Sequence, residues 1–206
     1  MTFKEKKPFY KSKGFGIAAA FVVVVALVGA FFLTSSDSEE QKSVVSTTTS
    51  TTKKPVPNSI APLTGLEDIS GEAGTRPALA VKIGNNPEAR PQAGITEADI
   101  VYEEIVEGGI TRYMAIFNST VPERVGPVRS VRGMDPNIST NWGGIFSYSG
   151  GTATNESKIK NTKGVLALNE TAAGDGMKRD SGRSAPNNLY VIPTNMFKKG
   201  GTPVPP

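Results

Sequence analysis

Residues 85–132, NNPEARPQAGITEADIVYEEIVEGGITRYMAIFNSTVPERVGPVRSVR, contain the clearest hairpin pattern of the chain and most of its arginines. Two runs rich in β-branched and aromatic residues, 100–106 and 110–118, flank the pair Gly108-Gly109. Two glycines suit a two-residue connection, because the turns of such hairpins require positive φ. The pattern therefore predicts a β-hairpin of two antiparallel strands.

The length of the predicted turn determines which side chains share a face of the hairpin. With Gly108-Gly109 as the whole turn, Ile105 lies opposite Arg112. Because side chains alternate between the two faces, one face carries an apolar set with a single glutamate: Ile100, Tyr102, Glu104, Val106, Tyr113, Ala115 and Phe117. The other face carries the charged set among apolar residues: Val101, Glu103, Ile105, Glu107, Arg112, Met114 and Ile116.

On the charged face, Arg112 is predicted to lie diagonal to Glu103 and Glu107, within reach of a long side chain. Two interpretations follow from this arrangement. The three side chains form a cross-strand ion pair on a half-solvated face, which is common and individually weak. Alternatively, they form a polar cluster at the floor of a cleft.

The composition excludes several kinds of chemistry, because the chain contains neither cysteine nor histidine. Thiol nucleophiles, disulfides, Cys/His zinc sites, haem ligation by histidine and Ser-His-Asp triads are impossible. Acid-base chemistry would have to use Asp, Glu, Lys or Tyr. We expect no cofactor and no metal.

The charge distribution argues against a nucleic-acid partner. The net charge is +4, but the five lysines before Gly14, less Glu5, account for all of it. The rest of the chain is therefore neutral, and a folded domain without a basic excess lacks the main attraction to a polyanion such as DNA.

The N-terminal part has the pattern of a membrane anchor. Residues 15–33, FGIAAAFVVVVALVGAFFL, form a 19-residue run without charge, which would reach about 28 Å as a helix. Lysines before the run and acidic residues after it predict a single-pass helix with residues 1–14 in the cytoplasm. A cleaved signal peptide is the alternative, with small residues at Ala26, Gly29 and Ala30 for a peptidase. A lipoprotein signal is excluded because there is no cysteine to carry the lipid.

Residues 34–61 are predicted to be a disordered tether, since Ser, Thr, Lys and Pro dominate and no apolar period is present. Residues 62–206 are predicted to fold outside the cytoplasm as an α/β domain: a layered sandwich of mixed or antiparallel sheet with short helices. Its further predicted strands are 78–83, 145–148 and 165–168. Short helical segments are predicted at 96–99, 133–143 and 155–161, the second capped by Asp135-Pro136, and Thr194 is expected to cap a last turn.

Two loops have further expected roles. Residues 119–132 form a loop that brings Arg124, Arg129 and Arg132 close together, either as a clamp for carboxylate or phosphate or as ordinary solubilising residues. The turn Ser149-Gly150-Gly151-Thr152 could bind an anion at the start of the following helix, although a plain tight turn explains it equally simply. Residues 178–184 are predicted to be a polar loop.

Four segments together resemble the YerB-like family of bacterial envelope lipoproteins, a family without an assigned biochemical activity. They are PLTGL at 62–66, ARPQAGITEADIVYEEIVEGGITRYMAIF at 89–117, VGPVRSVR at 125–132 and RDSGRSAPNNLY at 179–190. The resemblance covers roughly residues 62–197. It implies an α/β layered sandwich outside the membrane, followed in the family by a second, C-terminal region that this chain lacks.

Three features differ from the family pattern. An Asp commonly stands where this chain has Gly84, a His where it has Asn187, and a lipid-bearing Cys performs the anchoring that residues 15–33 would perform here. The loss of the Asp and the His argues against catalysis, so no catalytic residue is assigned. The matching charged residues are the predicted ligand-binding set: Arg90, Glu103, Glu107, Arg112, Arg129, Arg132 and Arg183.

Three functions are compatible with these observations. The first is a membrane-tethered domain that recognises an anionic envelope component through clustered arginines. The second is an envelope hydrolase with Glu103 and Glu107 as acid and base, but four residues of strand separate them by about 13 Å, beyond the usual ~5 to 9.5 Å. The third is a protein-interaction or structural module of the envelope in which the arginines only form ion pairs.

Overall fold

Five strands form the central sheet of residues 59–203, the part of the chain that this computed structural model describes. The spatial order is β2-β3-β1-β4-β5. In chain order the strands are β1 (Leu79–Gly84), β2 (Ile100–Ile105), β3 (Thr111–Phe117), β4 (Gly144–Ser147) and β5 (Val165–Leu168). β3 pairs antiparallel with β1 and β2, whereas β1, β4 and β5 run parallel. The predicted α/β fold with a mixed sheet and short helices is confirmed.

Short helices and a small second sheet cover the central one. The helices are α1 (Asp135–Ser139), α2 (Ala153–Lys160), α3 (Glu170–Ala173) and α4 (Pro193–Met196). Single 3₁₀ turns occupy Pro87–Ala89, Ile95–Glu97, Glu107–Gly109, Gly174–Gly176 and Phe197–Lys199. Two antiparallel strands, β6 (Met177–Arg179) and β7 (Leu189–Val191), form the second sheet.

Strand β1, in the middle of the central sheet, is covered on both faces and buried along its whole length. One face packs Val81, Ile83 and Phe117 against β7 and α4 residues such as Val191 and Met196. The other face has a separate apolar cluster: Ala78, Ala80, Met114, Ile116, Val131, Phe146, Tyr148 and Ile159. Because β1 is covered on both sides, a polar side chain within it must find its partner inside the protein.

The predicted hairpin is present, but its predicted register is wrong by one residue. Glu104 lies opposite Arg112 and Ile105 opposite Thr111. The connection is longer than predicted, because Glu107–Gly109 forms a 3₁₀ turn and both glycines adopt positive φ, 72° and 70°. A slip of one residue moves every side chain of one strand to the other face. Arg112 therefore shares a face with Glu104, and not with Glu103.

The correction also changes the apolar faces of the hairpin. Met114 and Ile116, predicted on the charged face, are fully buried beside Ile100 and Tyr102. Ile105 is 74% exposed on the edge strand β2.

Most of the other predicted elements occur within one or two residues of their expected positions. Strand β5 has exactly the predicted bounds, and α1 begins with Asp135-Pro136 as expected. Two expectations are wrong: the predicted polar loop at 178–184 begins inside β6, and Thr194 does not cap α4, which is preceded by Ile192.

The predicted cytoplasmic tail, the apolar run 15–33, the signal-peptide alternative and the tether up to residue 58 lie outside the described residues. Within residues 59–203, no helix combines the length and the apolar character needed to cross a bilayer.

Candidate functional site

The loop at 119–132, which we call the arginine loop, carries two of the predicted site arginines and is fixed between β1 and the residues that follow β4. Gly84 N donates to Pro127 O at 3.0 Å, and Arg129 N donates to Lys82 O at 2.8 Å. On the other side of the loop, Ser149 N donates to Arg129 O at 3.0 Å. Backbone hydrogen bonds on both sides therefore set the directions in which the arginine side chains leave the loop.

Three of the predicted residues come together above this loop, and we call Arg112, Arg129 and Arg132 the arginine cluster. Arg112 reaches from β3, is only 6% exposed and donates from Nη1 to Ser130 O at 2.8 Å. Arg129 donates from Nη1 to Asn187 Oδ1 at 2.7 Å. Arg132 places Nε 2.9 Å from the Glu107 carboxylate and donates from Nη1 to Val131 O at 3.0 Å.

The arginine cluster carries more positive charge than its neighbours neutralise. Burial, and then the nearby charges of Arg132 and Arg129, lower the pKa of Arg112 to about 10, against the weaker opposing effects of Glu107 and Asp135. Burial and the charge of Arg132 also lower the pKa of Arg129. Within residues 59–203, the single carboxylate in a salt bridge with the cluster is Glu107, whose side chain is 72% exposed. The cluster is therefore an electropositive site with unused hydrogen-bond donors.

A buried ion triad lies on the same face of the sheet as Arg112. Lys82 Nζ lies 2.6 Å from Asp135 Oδ1 and 2.7 Å from Glu104 Oε2. Lys82 and Asp135 have fully buried side chains, and Glu104 is 7% exposed. One ammonium can neutralise only one carboxylate, so burial and then the charge of Asp135 raise the pKa of Glu104 to about 7.

The triad also holds the arginine loop in place. The second carboxylate oxygen of Asp135 accepts the backbone N–H of Arg132 at 2.5 Å. Asp135 thus connects three parts of the site: Lys82 on β1, the start of α1 and the end of the arginine loop. We infer a supporting role for the triad, since its charged groups pair with one another and Asp135 also bonds the backbone of Arg132.

Two clefts flank the arginine cluster. One has a volume of about 630 Å³ and is lined by Arg129 together with Asn86, Glu88, Gly182, Arg183, Ser184, Ala185, Pro186 and Asn187. The other has a volume of about 330 Å³ and is lined by Arg132 together with Glu107, Ser130, Gly151, Thr152 and Asn155. One arginine of the cluster therefore lines each cleft.

Arg183, a fourth predicted residue, has a structural role. Its guanidinium donates to the carbonyl oxygens of Glu88 at 2.7 Å, Arg90 at 3.2 Å and Pro91 at 3.3 Å, and to Tyr190 Oη at 2.8 Å. These bonds use its donors within the protein and attach the loop at 88–91 to the segment before β7.

The last two predicted residues, Arg90 and Glu103, form a separate group around Asn85. Arg90 donates from Nη2 to Asn85 Oδ1 at 3.0 Å, and Glu103 accepts from Thr111 Oγ1 at 2.7 Å and from Asn85 Nδ2 at 3.4 Å. The predicted contact of Arg112 with Glu103 is therefore wrong, because the register places these side chains on opposite faces of the sheet.

The carboxylates of the hydrolase hypothesis have different surroundings. Glu103 accepts hydrogen bonds from Thr111 and Asn85. Glu107 instead pairs with Arg132, and its pKa is lowered first by a hydrogen bond from its own backbone N–H and then by the one from Arg132. Residues 59–203 contain no group of three or more His, Cys, Asp or Glu side chains that could hold a metal ion.

The turn at 149–152 packs closely against Val131 of the arginine loop. A Cβ added to Gly151 would lie 2.6 Å from Val131 Cγ1, so the glycine permits close contact with the arginine loop. Thr152 Oγ1 accepts the backbone N–H of Asn155 at 3.3 Å and caps α2. These contacts explain the glycine and the threonine as parts of a tight turn, and both residues also line the cleft beside Arg132.

The sequence patterns did not identify the supporting residues Lys82, Glu104 and Asp135 as part of the site. A signal was available, because a lysine inside the apolar run ALAVKI requires a buried counter-ion. The sequence had drawn attention to Asn187 only because the family commonly has a His at that position. Both departures, Gly84 and Asn187, lie against Arg129, since a Cβ on Gly84 would be 2.9 Å from Arg129 Cγ.

Comparisons with known proteins agree with this fold. The chain is similar to the Bacillus subtilis (strain 168) protein named "Putative lipoprotein YerB", with 49% identity over 90 residues, which are 44% of this chain and 27% of that protein. It is also similar to the crystal structure of YerB protein from Bacillus subtilis, with a TM-score of 0.63 and 35% identity over 71% of this chain. The chain covers 51% of that solved chain, and so spans about half of its length.

A family model also matches residues 63–202, which include every residue of the arginine cluster and of the buried triad. Its description is "Protein of unknown function (DUF3048) N-terminal domain". This match covers most of the chain and nearly all of the part that the structure describes. The chain belongs to the YerB-like DUF3048 family, and residues 63–202 are its N-terminal domain.

Proposed function

We propose that the domain binds an anionic component of the bacterial envelope through the arginine cluster. One observation carries the proposal: Arg112 is 6% exposed, two further arginines lower its pKa, and the single salt-bridged carboxylate beside them in the described residues is largely exposed. This arrangement concentrates positive charge at a place where burial makes charge costly.

The energetic argument is that such a cluster costs stability unless an anion completes it. Removing a charged group from water costs several kcal/mol, at the order-of-magnitude level, when no partner compensates it. Burial is the main cause of the lowered pKa of Arg112 and Arg129, and like charges nearby lower both pKa values further. Arg129 and Arg132 line clefts, and Arg112, whose pKa is lowered most, bonds the loop that carries them.

The chemistry of the donors favours carboxylate or phosphate. A guanidinium offers five N–H donors in a planar fork that matches two oxygens of an oxyanion. Arg112 and Arg129 each use one donor on a neutral oxygen within the described residues, Ser130 O and Asn187 Oδ1. Arg129, which lines a cleft, therefore keeps donors for a ligand.

The envelope location is supported by similarity to the protein named "Putative lipoprotein YerB". For this chain we propose that residues 15–33 form an uncleaved helix that crosses the membrane once, with the N-terminus in the cytoplasm and the domain outside. Deletion of residues 15–33 should move the protein from the membrane fraction to the soluble fraction of the cell. An unchanged membrane fraction would contradict the proposed anchor.

Thermal unfolding of the full-length protein in increasing phosphate tests the binding function. Wild type should unfold at a higher temperature as phosphate rises, because a ligand of the folded state stabilises it by mass action. Arg132→Gln should lose most of this response. The matched control is Arg179→Gln, which removes the same charge from a residue paired with the exposed Glu170.

An equal response of Arg132→Gln and Arg179→Gln would show that phosphate acts through general screening, and would contradict the proposal. A wild type that responds to neither phosphate, sulfate nor carboxylates would leave the arginines as structural residues. The protein-interaction module would then be the better hypothesis.

A further inference from the structure

The geometry points to a ligand with several anionic groups along one flexible, hydroxyl-bearing chain: a polyol phosphodiester. This inference rests on the proposed function and deepens it by naming the ligand class. It derives from the two clefts that flank the arginine cluster, and from the chemistry of the groups that line them.

The first step is the division of the cluster between the clefts. Arg129 lines the cleft of about 630 Å³ and Arg132 lines the cleft of about 330 Å³. The two residues are three apart on one fixed loop, so their Cα atoms lie at most about 11 Å from each other. The two clefts share no lining residue, so we assign each its own phosphate, and successive units of one chain supply both.

The second step concerns Arg112, which lines neither cleft but bonds the loop between the two cleft arginines. Arg112 Nη1 bonds the carbonyl of Ser130, the residue that follows Arg129, and its pKa responds to both Arg129 and Arg132. Its charge therefore acts on both clefts at once. A ligand with anionic groups on both sides relieves the repulsion among all three arginines.

The third step concerns the remaining lining residues. The first cleft offers Asn86, Ser184 and Asn187, and the second offers Ser130, Thr152 and Asn155. These side chains donate and accept hydrogen bonds without charge, which suits hydroxyl groups. Each cleft also has one carboxylate, Glu88 or Glu107. This carboxylate can accept a hydrogen bond from a hydroxyl group, and it repels a ligand that has negative charge at every position.

The fourth step is the absence of a stacking surface. Neither cleft has a Phe, Tyr or Trp among its described lining residues. Single-stranded nucleic acids bind largely by stacking bases on aromatic side chains, a contribution of about 1–3 kcal/mol per base. The clefts therefore favour a polyol backbone over a nucleic acid of equal charge.

The test is a calorimetric titration of the full-length protein with glycerol phosphate oligomers of one, two and six phosphates, and with a single-stranded DNA of six phosphates. The dimer should bind at least about 10-fold more tightly than the monomer, because its second phosphate binds at high effective concentration. Arg129→Gln and Arg132→Gln should each reduce the dimer to monomer-like affinity. Arg179→Gln should keep the full gain.

Each possible outcome decides a separate claim. Equal affinity for monomer and dimer would overturn the inference and leave the proposed anion site intact. DNA binding as tight as that of the six-phosphate oligomer would overturn the polyol class. No binding of any anion by wild type would overturn both the inference and the proposed function.

Discussion

Arg112 and Lys82 are two buried cations that differ in their partners. Lys82 has two carboxylates within 2.7 Å, so its charge is needed to hold Glu104 and Asp135 in the interior. Arg112 has a backbone carbonyl as its hydrogen-bond partner within the described residues. Lys82 is therefore paired directly with carboxylates, whereas the described residues show no salt bridge to Arg112.

Substitution should separate these two roles. Arg112→Met should leave the free energy of unfolding within about 1 kcal/mol of wild type or raise it, because an apolar side chain removes a buried charge. Lys82→Met, the matched control, should cost about 3–5 kcal/mol, because it leaves carboxylates buried without a counter-ion. Urea unfolding measures both. A loss at Arg112→Met as large as that at Lys82→Met would show that Arg112 is a structural ion.

Glu104 should make stability depend on pH. Its pKa is about 7 in the folded chain against an ordinary 4.5. Between these values the folded chain keeps a proton that the unfolded chain has lost, so stability falls as pH rises through this window. The expected loss from pH 4.5 to pH 8 is roughly 3 kcal/mol.

Urea unfolding of wild type and Glu104→Gln at pH 5 and pH 8 checks this expectation. Glutamine cannot titrate, so the variant should lose most of the difference between the two pH values, whereas the control Glu97→Gln, on a 3₁₀ turn at the surface, should retain it. Identical pH profiles for wild type and Glu104→Gln would contradict the account of the triad.

At the level of elements, the hairpin shows what a sequence pattern predicts well and what it predicts poorly. The strand-forming runs and the two glycines correctly predicted two antiparallel strands. The pattern did not predict that Glu107 joins the glycines in the turn, because Gly108-Gly109 fits a two-residue and a three-residue connection equally well. That single residue decided which charged side chains share a face.

Engineered cysteines can test the register, since the chain has no cysteine of its own. The pair Ile105→Cys and Thr111→Cys should form a disulfide under mild oxidation, because the two residues lie directly opposite each other. The pair Ile105→Cys and Arg112→Cys should stay reduced, since those side chains point to opposite faces. Thiol counting measures both, and the reverse result would restore the two-residue turn.

The arginine loop is an element whose role sequence alone could not settle. Its composition predicted that Arg129 and Arg132 would be neighbours, and they are. Arg124, predicted beside them, instead pairs with Asp180 at 2.9 Å and lies over the ring of Tyr190. The difference arises from long-range pairing of the loop with β1 and β7, which no local pattern contains.

At the scale of the whole molecule, the site combines segments that are distant in the sequence. Arg112 comes from β3, Arg129 and Arg132 from the following loop, and Asn187 from the segment before β7. The family resemblance supplied the residue set, but the division into a cluster, a structural arginine and a group around Asn85 required the fold. The buried triad behind the cluster also depends on contacts between elements far apart in the chain, such as Lys82 with Asp135.

The most direct test of the account is a calorimetric titration of the full-length protein with pyrophosphate, in wild type and in the double variant Arg129→Gln/Arg132→Gln. Wild type should show saturable binding that weakens with added salt, because each cleft presents an arginine to the anion. The double variant should give only the heat of dilution. Absence of binding by wild type, or the same affinity in the double variant, would contradict the arginine cluster as an anion site.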